Sequence, residues 1–260
     1  MIRRDWNDDW WLITQREHAK LALEFLREFQ FHENTLSLDR ALVEQTVLHH
    51  DDGWKEPDSS PIWGERLNRP VDFLDATPEL SLPAWERGVE QCHAIDPQAG
   101  FWVSRHFTSL GMRVFQGDDH TETQMEMTRE FLHEQSEYQS EVVAEIVQQK
   151  CVENQQLINE TGYGILRSFD HLSLILTVSE KDSPATWPLI GYHEVTLTPV
   201  ASEDAKVFRF QAQPWPFGKL ERVRASAVGK CIPRTVTDQL QLTKAWEQSE
   251  SVELSFELIR

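Results

Sequence analysis

The periodicity of the apolar residues changes once along this chain of 260 residues, near residue 180. Before that point, segments such as QREHAKLALEFLREFQ at 15–30 repeat apolar residues every three or four positions, which predicts amphipathic helices. After it, segments such as SVELSFELI at 251–259 alternate apolar and polar residues, as half-buried antiparallel strands do. The pattern predicts a helical domain over 1–180 and a β-rich region over 181–260 that packs on the helices.

The same patterns give the expected elements. Further helices are predicted over 38–50, 84–93, 98–111, 121–153 and 155–178, with a proline-containing loop region over 55–83. Strands are predicted over 191–200, 206–215, 220–232 and 251–259. The expected fold class is mainly α, a helical bundle with a C-terminal antiparallel β-rich region, and α+β overall.

The charge of the chain limits its partners. The net charge is −18, and residues 181–260 hold ten basic and ten acidic residues, so the acidic excess lies before residue 181. Non-specific nucleic-acid binding and binding to anionic membranes both need a basic surface, so neither is expected. No apolar run has the length of a membrane span, and three cysteines without a CxxC pair predict a reducing cytoplasm.

Two histidines and two aspartates stand side by side in HHDDGW at 49–54. Val43, Val47 and His50 follow the spacing i, i+4, i+7, so His50 is expected on the inward face of the second helix. Asp51 comes next, where the chain turns out of the helix towards Gly53. This pair is the centre of the predicted site.

Three more polar residues fall on apolar faces of predicted helices: His18, His106 and Asp170. A buried carboxylate requires a partner, because an unpaired charge in a core costs a large free energy. A cation held by imidazoles would provide one. The predicted metal ligands are His18, His50, Asp51, His106 and Asp170, and the donor types suit one or two divalent ions, Mn, Fe, Zn or Mg.

The order of these residues resembles the HD superfamily of metal-dependent phosphohydrolases, and LHHDDGW at 48–54 resembles its HD element. The resemblance implies that His50 and Asp51 are the defining pair, that His18 is the first ligand and that Asp170 is the last. His106 would correspond to the additional histidine that supports catalysis or a second metal. The implied fold is an HD-like helical bundle.

The whole chain also resembles a bacterial family known only as a domain of unknown function. The resemblance rests on five short segments: MIRR with WLITQREHA near the start, HHDDGW, VSRHF, LRSFDHLSL, and PWPFGKLERV with ELSFEL near the end. It supports the fold and the motif assignments and implies no activity.

Other residues near the predicted ligands have supporting roles. Arg16 and Arg105 are candidates for holding phosphate oxygens, because each is close in sequence to a ligand. Asp52 is a candidate to orient a ligand imidazole and to assist catalysis, with His49 beside it. Trp54 is expected at the wall of the pocket.

The leading hypothesis is a metal-dependent hydrolase that activates water against a small phosphorylated substrate, a phosphoester or nucleotide. His106 would stabilise developing charge or protonate the leaving group. Two alternatives remain open. A diiron oxygenase would need His93 as an additional ligand, and a metal- or nucleotide-binding module would have no catalytic role.

Overall fold

The fold is described from a computed structural model, for residues 1–31, 38–116, 120–150, 155–178, 183–192 and 194–260. Residue 180, where the sequence predicts a domain boundary, lies outside the described residues, and the division into two domains stays a prediction. The described chain forms seven α-helices and nine strands. None of its helices combines the length and apolarity that crossing a membrane requires.

The helices mostly begin where the sequence offers a capping side chain. Thr14 accepts from the backbone N–H of Glu17 at the start of α1, and Asp39 caps α2 in the same way. Asp96 caps α4 directly after α3 has ended. The bounds are α1 Gln15–Glu28, α2 Arg40–His49, α3 Pro78–Ile95, α4 Pro97–Gly111, α5 Glu122–Lys150, α6 Gln155–Val178 and α7 Gln239–Gln248.

Seven of the strands form one sheet in the order β1-β2-β8-β9-β7-β6-β5. Its strands are β1 Ile2–Trp6, β2 Asp9–Ile13, β5 Ala185–Trp187, β6 Val195–Val200, β7 Val207–Gln213, β8 Arg222–Pro233 and β9 Ser251–Ile259. The two remaining strands, β3 Trp63–Gly64 and β4 Arg69–Pro70, make a separate hairpin. Six pairings are antiparallel, whereas β7 and β9 run parallel, with Phe208 opposite Phe256.

The sheet contradicts the predicted fold class. An HD-like helical bundle with a C-terminal antiparallel β-rich region is wrong, because the sheet is mixed and includes two strands from the N-terminus. β1 and β2 form a hairpin around Asn7, whose φ of 54° suits a tight turn, and β2 pairs with β8. The overall class is α+β.

One continuous apolar cluster joins the helices to the sheet. It includes Trp11 on β2, Phe25 on α1, Phe169 on α6 and Phe256 on β9, all fully buried. α1 packs on β8, and α6 packs on β1 and β5. On their other faces α1 and α6 contact α2, and α6 also contacts α4. The candidate site lies where these four helices meet.

Candidate metal centre

Four polar side chains from three helices meet in the interior. His18 on α1 lies with its Nε2 2.9 Å from Oδ1 of Asp170 on α6. His50, at the C-terminal end of α2, lies with its Nε2 3.3 Å from the same Asp170 oxygen and 3.3 Å from Oδ2 of Asp51. All four residues are at least nine-tenths buried. The structure thus brings His18, His50, Asp51 and Asp170 together, as the sequence predicts.

This cluster can hold a metal ion. One ligand atom from each of the four residues lies within 4.8 Å of the others. Ligands of one ion stand about 2.0–2.6 Å from it, so two of them are at most roughly 5 Å apart. Two imidazole nitrogens and two carboxylates form a donor set typical of divalent transition metals. The roles of these residues as ligands stay a prediction.

The turn that carries His50 and Asp51 is pressed against α3. A Cβ atom on Gly53 would meet the backbone N of Gly88 at 2.7 Å, and one on Gly88 would meet the backbone O of His50 at 2.7 Å. Arg87 also donates to the carbonyl of Gly53 at 3.2 Å. Two glycines therefore allow backbone to pack on backbone and fix the position of the His50–Asp51 pair.

The hydrogen bonds of His50 determine which nitrogen is available. Its Nδ1 lies 2.8 Å from the carbonyl oxygen of Val47. A carbonyl can only accept, so Nδ1 carries a proton and donates it. In the neutral imidazole, Nε2 then carries no proton, and its lone pair faces the oxygens of Asp51 and Asp170. Only a proton or a metal ion between these atoms makes that contact favourable.

His18 is held in the same tautomer by Ser173 on α6. The Ser173 hydroxyl donates to the carbonyl of Asp170 at 2.8 Å, so its oxygen accepts from His18 Nδ1 at 2.7 Å. His18 Nε2 is therefore also free to bind a cation, at 2.9 Å from Asp170. Orientation of a ligand histidine through its second nitrogen is the usual arrangement around protein metals.

The ionisation of the cluster follows from the same contacts. Burial acts to lower the pKa of His50, but the attraction of Asp51 and Asp170 outweighs it and raises that pKa well above its usual value. Burial acts to raise the pKa of Asp170, but His106, His18 and His50 hold it well below its usual value. His50 and His18 likewise lower the pKa of Asp51 against the effect of its burial. Asp51 and Asp170 are thus both ionised, and a proton on His50 provides the nearest positive charge when no metal is bound.

His106 stands beside the cluster on α4. Its Nε2 is 3.7 Å from Oδ2 of Asp170, and its ring is 5.7 Å from that of His50 between centroids. Burial lowers the pKa of His106, so its imidazole is neutral near pH 7. His106 faces a cavity of about 250 Å³ that is also lined by His18, Asp51 and Asp170.

Three of the predicted supporting residues form a group outside this cluster. Asp52 accepts from Arg16 at 2.9 Å and from His49 Nδ1 at 2.7 Å, and Lys55 also contacts it at 2.9 Å. The Nδ1 atoms of His18 and His50 bond to Ser173 and Val47 instead. Arg16 is therefore paired, and Asp52 orients His49.

The remaining predicted residues are Trp54, Arg105 and His93, and only Trp54 lines the cavity. Trp54 lines the cavity and is 4% exposed. Arg105 binds Glu160 at 2.7 Å and does not line the cavity. His93 pairs through its Nδ1 with the hydroxyl of Tyr138 at 2.9 Å and is not among the four clustered residues.

Sequence reasoning missed several residues that complete the site: Ser173, which orients His18, and Arg113, Arg167 and His171, which line the cavity. Ser173 and His171 stand close to Asp170 in the motif FDHLS, so the helical face of Asp170 would have indicated Ser173. Nothing in the sequence singles out the two arginines, because the cavity exists only once α4 and α6 are packed.

Replacing Ser173 with alanine tests the orientation of His18. The substitution removes the acceptor for Nδ1, so His18 loses both its preferred tautomer and its fixed ring angle. We expect the affinity for a divalent metal to fall by about 10- to 100-fold, as is typical when a group behind a ligand is lost. Isothermal titration calorimetry with Zn²⁺ or Mn²⁺ measures the change.

Ser168→Ala is the matched control, on the same helix and equally buried. Ser168 donates to the carbonyl of Gly164 and accepts from the N–H of Ile190, so it contacts none of the four clustered residues. This variant should bind metal like the parent protein. Equal losses of affinity in both variants would show that the effect comes from α6 as a whole and not from His18.

The sequence profile of a family described as "Protein of unknown function (DUF3891)" matches residues 1–234. This confirms the predicted resemblance to a family of unknown function. No curated protein and no solved structure matches the chain.

Proposed function

We propose that this chain, which belongs to the family described as "Protein of unknown function (DUF3891)", is a metal-dependent hydrolase of a small phosphoester. The observation that carries the proposal is the buried cluster of His18, His50, Asp51 and Asp170 at the wall of a cavity. Two histidines held in the metal-binding tautomer and two ionised carboxylates are a costly arrangement in a core without a cation.

In this proposal His18, His50, Asp51 and Asp170 hold one divalent ion of the group Mn, Fe, Zn or Mg, and His106 is a candidate to contact a second. Such an ion lowers the pKa of water and polarises a phosphoryl oxygen, which is the chemistry that phosphoester hydrolysis needs. The order His18, His50–Asp51, Asp170 along the chain, which resembles that of HD phosphohydrolases, favours this reaction.

His106 is suited to act on the substrate directly. It faces the cavity, and burial lowers its pKa, so at neutral pH it presents a neutral imidazole. We assign it the stabilisation, through an N–H hydrogen bond, of charge that develops on the phosphoryl group. Ser173 and the carbonyl of Val47 hold His18 and His50 in place.

The proposal is tested by measuring metal content and phosphoesterase activity on the same preparation. Protein purified without chelators should contain divalent metal and hydrolyse at least one compound in a panel of nucleotides, aryl phosphates and phosphodiesters. Chelation should remove the activity, and one of the four metals should restore it. His133→Ala changes an exposed histidine on α5 and should leave both readouts unchanged.

Two results would contradict the proposal. Metal bound tightly with no phosphoester turned over by any of the four reconstituted forms would identify a binding module. Oxygen consumption by the iron form, without phosphate release, would identify an oxygenase.

A further inference from the structure

The lining of the cavity includes two arginines although the chain is strongly acidic. Among the described residues that line the cavity, the only carboxylates are Asp51 and Asp170, which belong to the metal cluster. The lining also contains Arg113 and Arg167. In a chain with 43 acidic and 25 basic residues, a lining with two arginines and no carboxylate outside the metal cluster is unexpected for a surface that only keeps the protein in solution.

The two arginines reach the cavity from the helices that form the site. Arg167 precedes Asp170 on α6 by three residues, so it lies less than one helical turn away on the same face. Arg113 follows α4, in the short 3-10 helix Met112–Gln116, seven residues after His106. Both side chains are exposed, and both act electrostatically on His171, which also lines the cavity.

Neither arginine has a carboxylate partner within the described ranges of the chain. The two arginines expected from sequence to hold phosphate differ in this respect, since Arg16 is paired with Asp52 and Arg105 with Glu160. A guanidinium without a partner keeps all of its N–H donors available, and two such forks match the oxygens of a phosphoryl group.

The rest of the cavity is suited to the body of a small ligand. Its walls are mostly apolar and include Trp54, Phe73 and Trp85. A volume of about 250 Å³ is just below the range of roughly 300–1,000 Å³ found for drug-sized ligands. The side-chain oxygen of Gln15, which also lines the cavity, is buried without a hydrogen-bond partner among the described residues. A buried polar atom without a protein partner can form its hydrogen bond with a ligand or a water.

We propose that Arg113 and Arg167 bind the non-reacting phosphoryl oxygens of a small phosphomonoester whose alcohol is aromatic or aliphatic and packs on Trp54, Phe73 and Trp85. This inference rests on the proposed function and specifies its substrate class. The phosphoryl group lies between the metal cluster and the two guanidinium groups, so its charge is balanced from both sides. The aromatic part of the lining favours a phosphomonoester with an aromatic or aliphatic alcohol over a sugar phosphate.

The test uses isothermal titration calorimetry to measure the binding of phenyl phosphate to the metal-loaded and to the metal-free protein. We expect Arg113→Gln and Arg167→Gln each to weaken binding by about 10- to 100-fold, the usual effect of losing a charge-assisted hydrogen bond. Both residues are exposed, so the variants should fold normally. Arg105→Gln removes the same charge from α4 outside the cavity and should bind phenyl phosphate like the parent protein.

The outcomes separate this inference from the proposed function. Parent-like binding of phenyl phosphate by both variants, with metal binding intact, would overturn the arginine assignment and leave the metal site standing. Benzoate or glucose 6-phosphate bound more tightly than phenyl phosphate would overturn the substrate class. An arginine-dependent affinity that persists in the metal-free protein would support the anion site even if no hydrolysis were found.

Discussion

Replacing Asp170 with asparagine is expected to lower the affinity for divalent metal by more than about 100-fold, beyond the effect of losing a group behind a ligand. One oxygen of Asp170 faces the Nε2 atoms of both His18 and His50, and the other faces His106. Among the ion pairs of the described residues, Asp170 alone pairs with all three histidines, whereas Asp51 pairs with His18 and His50. The amide keeps the volume but removes the charge that joins them, and hydrolysis should become undetectable.

The fold should tolerate this substitution, because it removes one of two neighbouring negative charges at nearly constant volume. Asp52→Asn is the matched control, since Asp52 is 5% exposed and Asp170 is 7% exposed. Asp52 binds Arg16, His49 and Lys55 rather than the cluster, so its substitution should leave metal affinity within a few-fold of the parent. If Asp170→Asn bound metal like the parent protein, Asp170 would be a structural carboxylate and the assignment of the cluster would be wrong.

Removing the metal is expected to lower the melting temperature by roughly 10 °C. A metal present at about a thousand times its Kd stabilises the folded state by about 4 kcal/mol. For a chain near this length, 1 kcal/mol corresponds to about 2–4 °C. Without the metal, Asp51 and Asp170 repel each other across the cluster, and a proton on His50 must take the place of the cation.

Differential scanning calorimetry with and without a chelator measures this shift, and circular dichroism at 25 °C should show unchanged helix content. The helices pack on the apolar core and carry their own caps, so they do not depend on the metal. Asp170→Asn provides the control, because its weaker metal binding should make its melting temperature respond much less to the chelator than that of the parent protein. A parent protein equally insensitive to chelation would mean that no metal occupies the site in the folded state.

The convergence of the site could be predicted from sequence because His18, His50 and Asp170 lie on apolar helical faces and Asp51 follows His50 directly. His50 shares the spacing of Val43 and Val47, and Asp170 interrupts an otherwise apolar stripe. The residues that support the cluster could not be identified from sequence. Ser173 resembles any small residue in a helix, and Arg113 and Arg167 resemble ordinary exposed residues until the cavity places them together.

The error in the fold came from strand pairing. Alternation in β6 to β9 identifies strands and the face each one buries, but it carries no information on which strands become neighbours. In the structure β9 lies between β7 and β8. Its parallel pairing with β7 could not be anticipated from the alternation. The sequence does not predict the hairpin around Asn7, because its two strands have five residues each and no regular alternation of apolar and polar residues.

The hydrogen bond between His18 and Asp170 joins residues that are 152 positions apart in the chain. Closing a loop of that length costs about 4 kcal/mol in chain entropy, and the closure depends on packing α6 against α1. During synthesis the ribosome releases His18, His50 and Asp51 long before Asp170, so a nascent chain lacks a complete set of donors. In the proposed function, the four-ligand site therefore forms only after α6 has been synthesised and has packed on α1, so a fully coordinated metal ion cannot direct the early steps of folding.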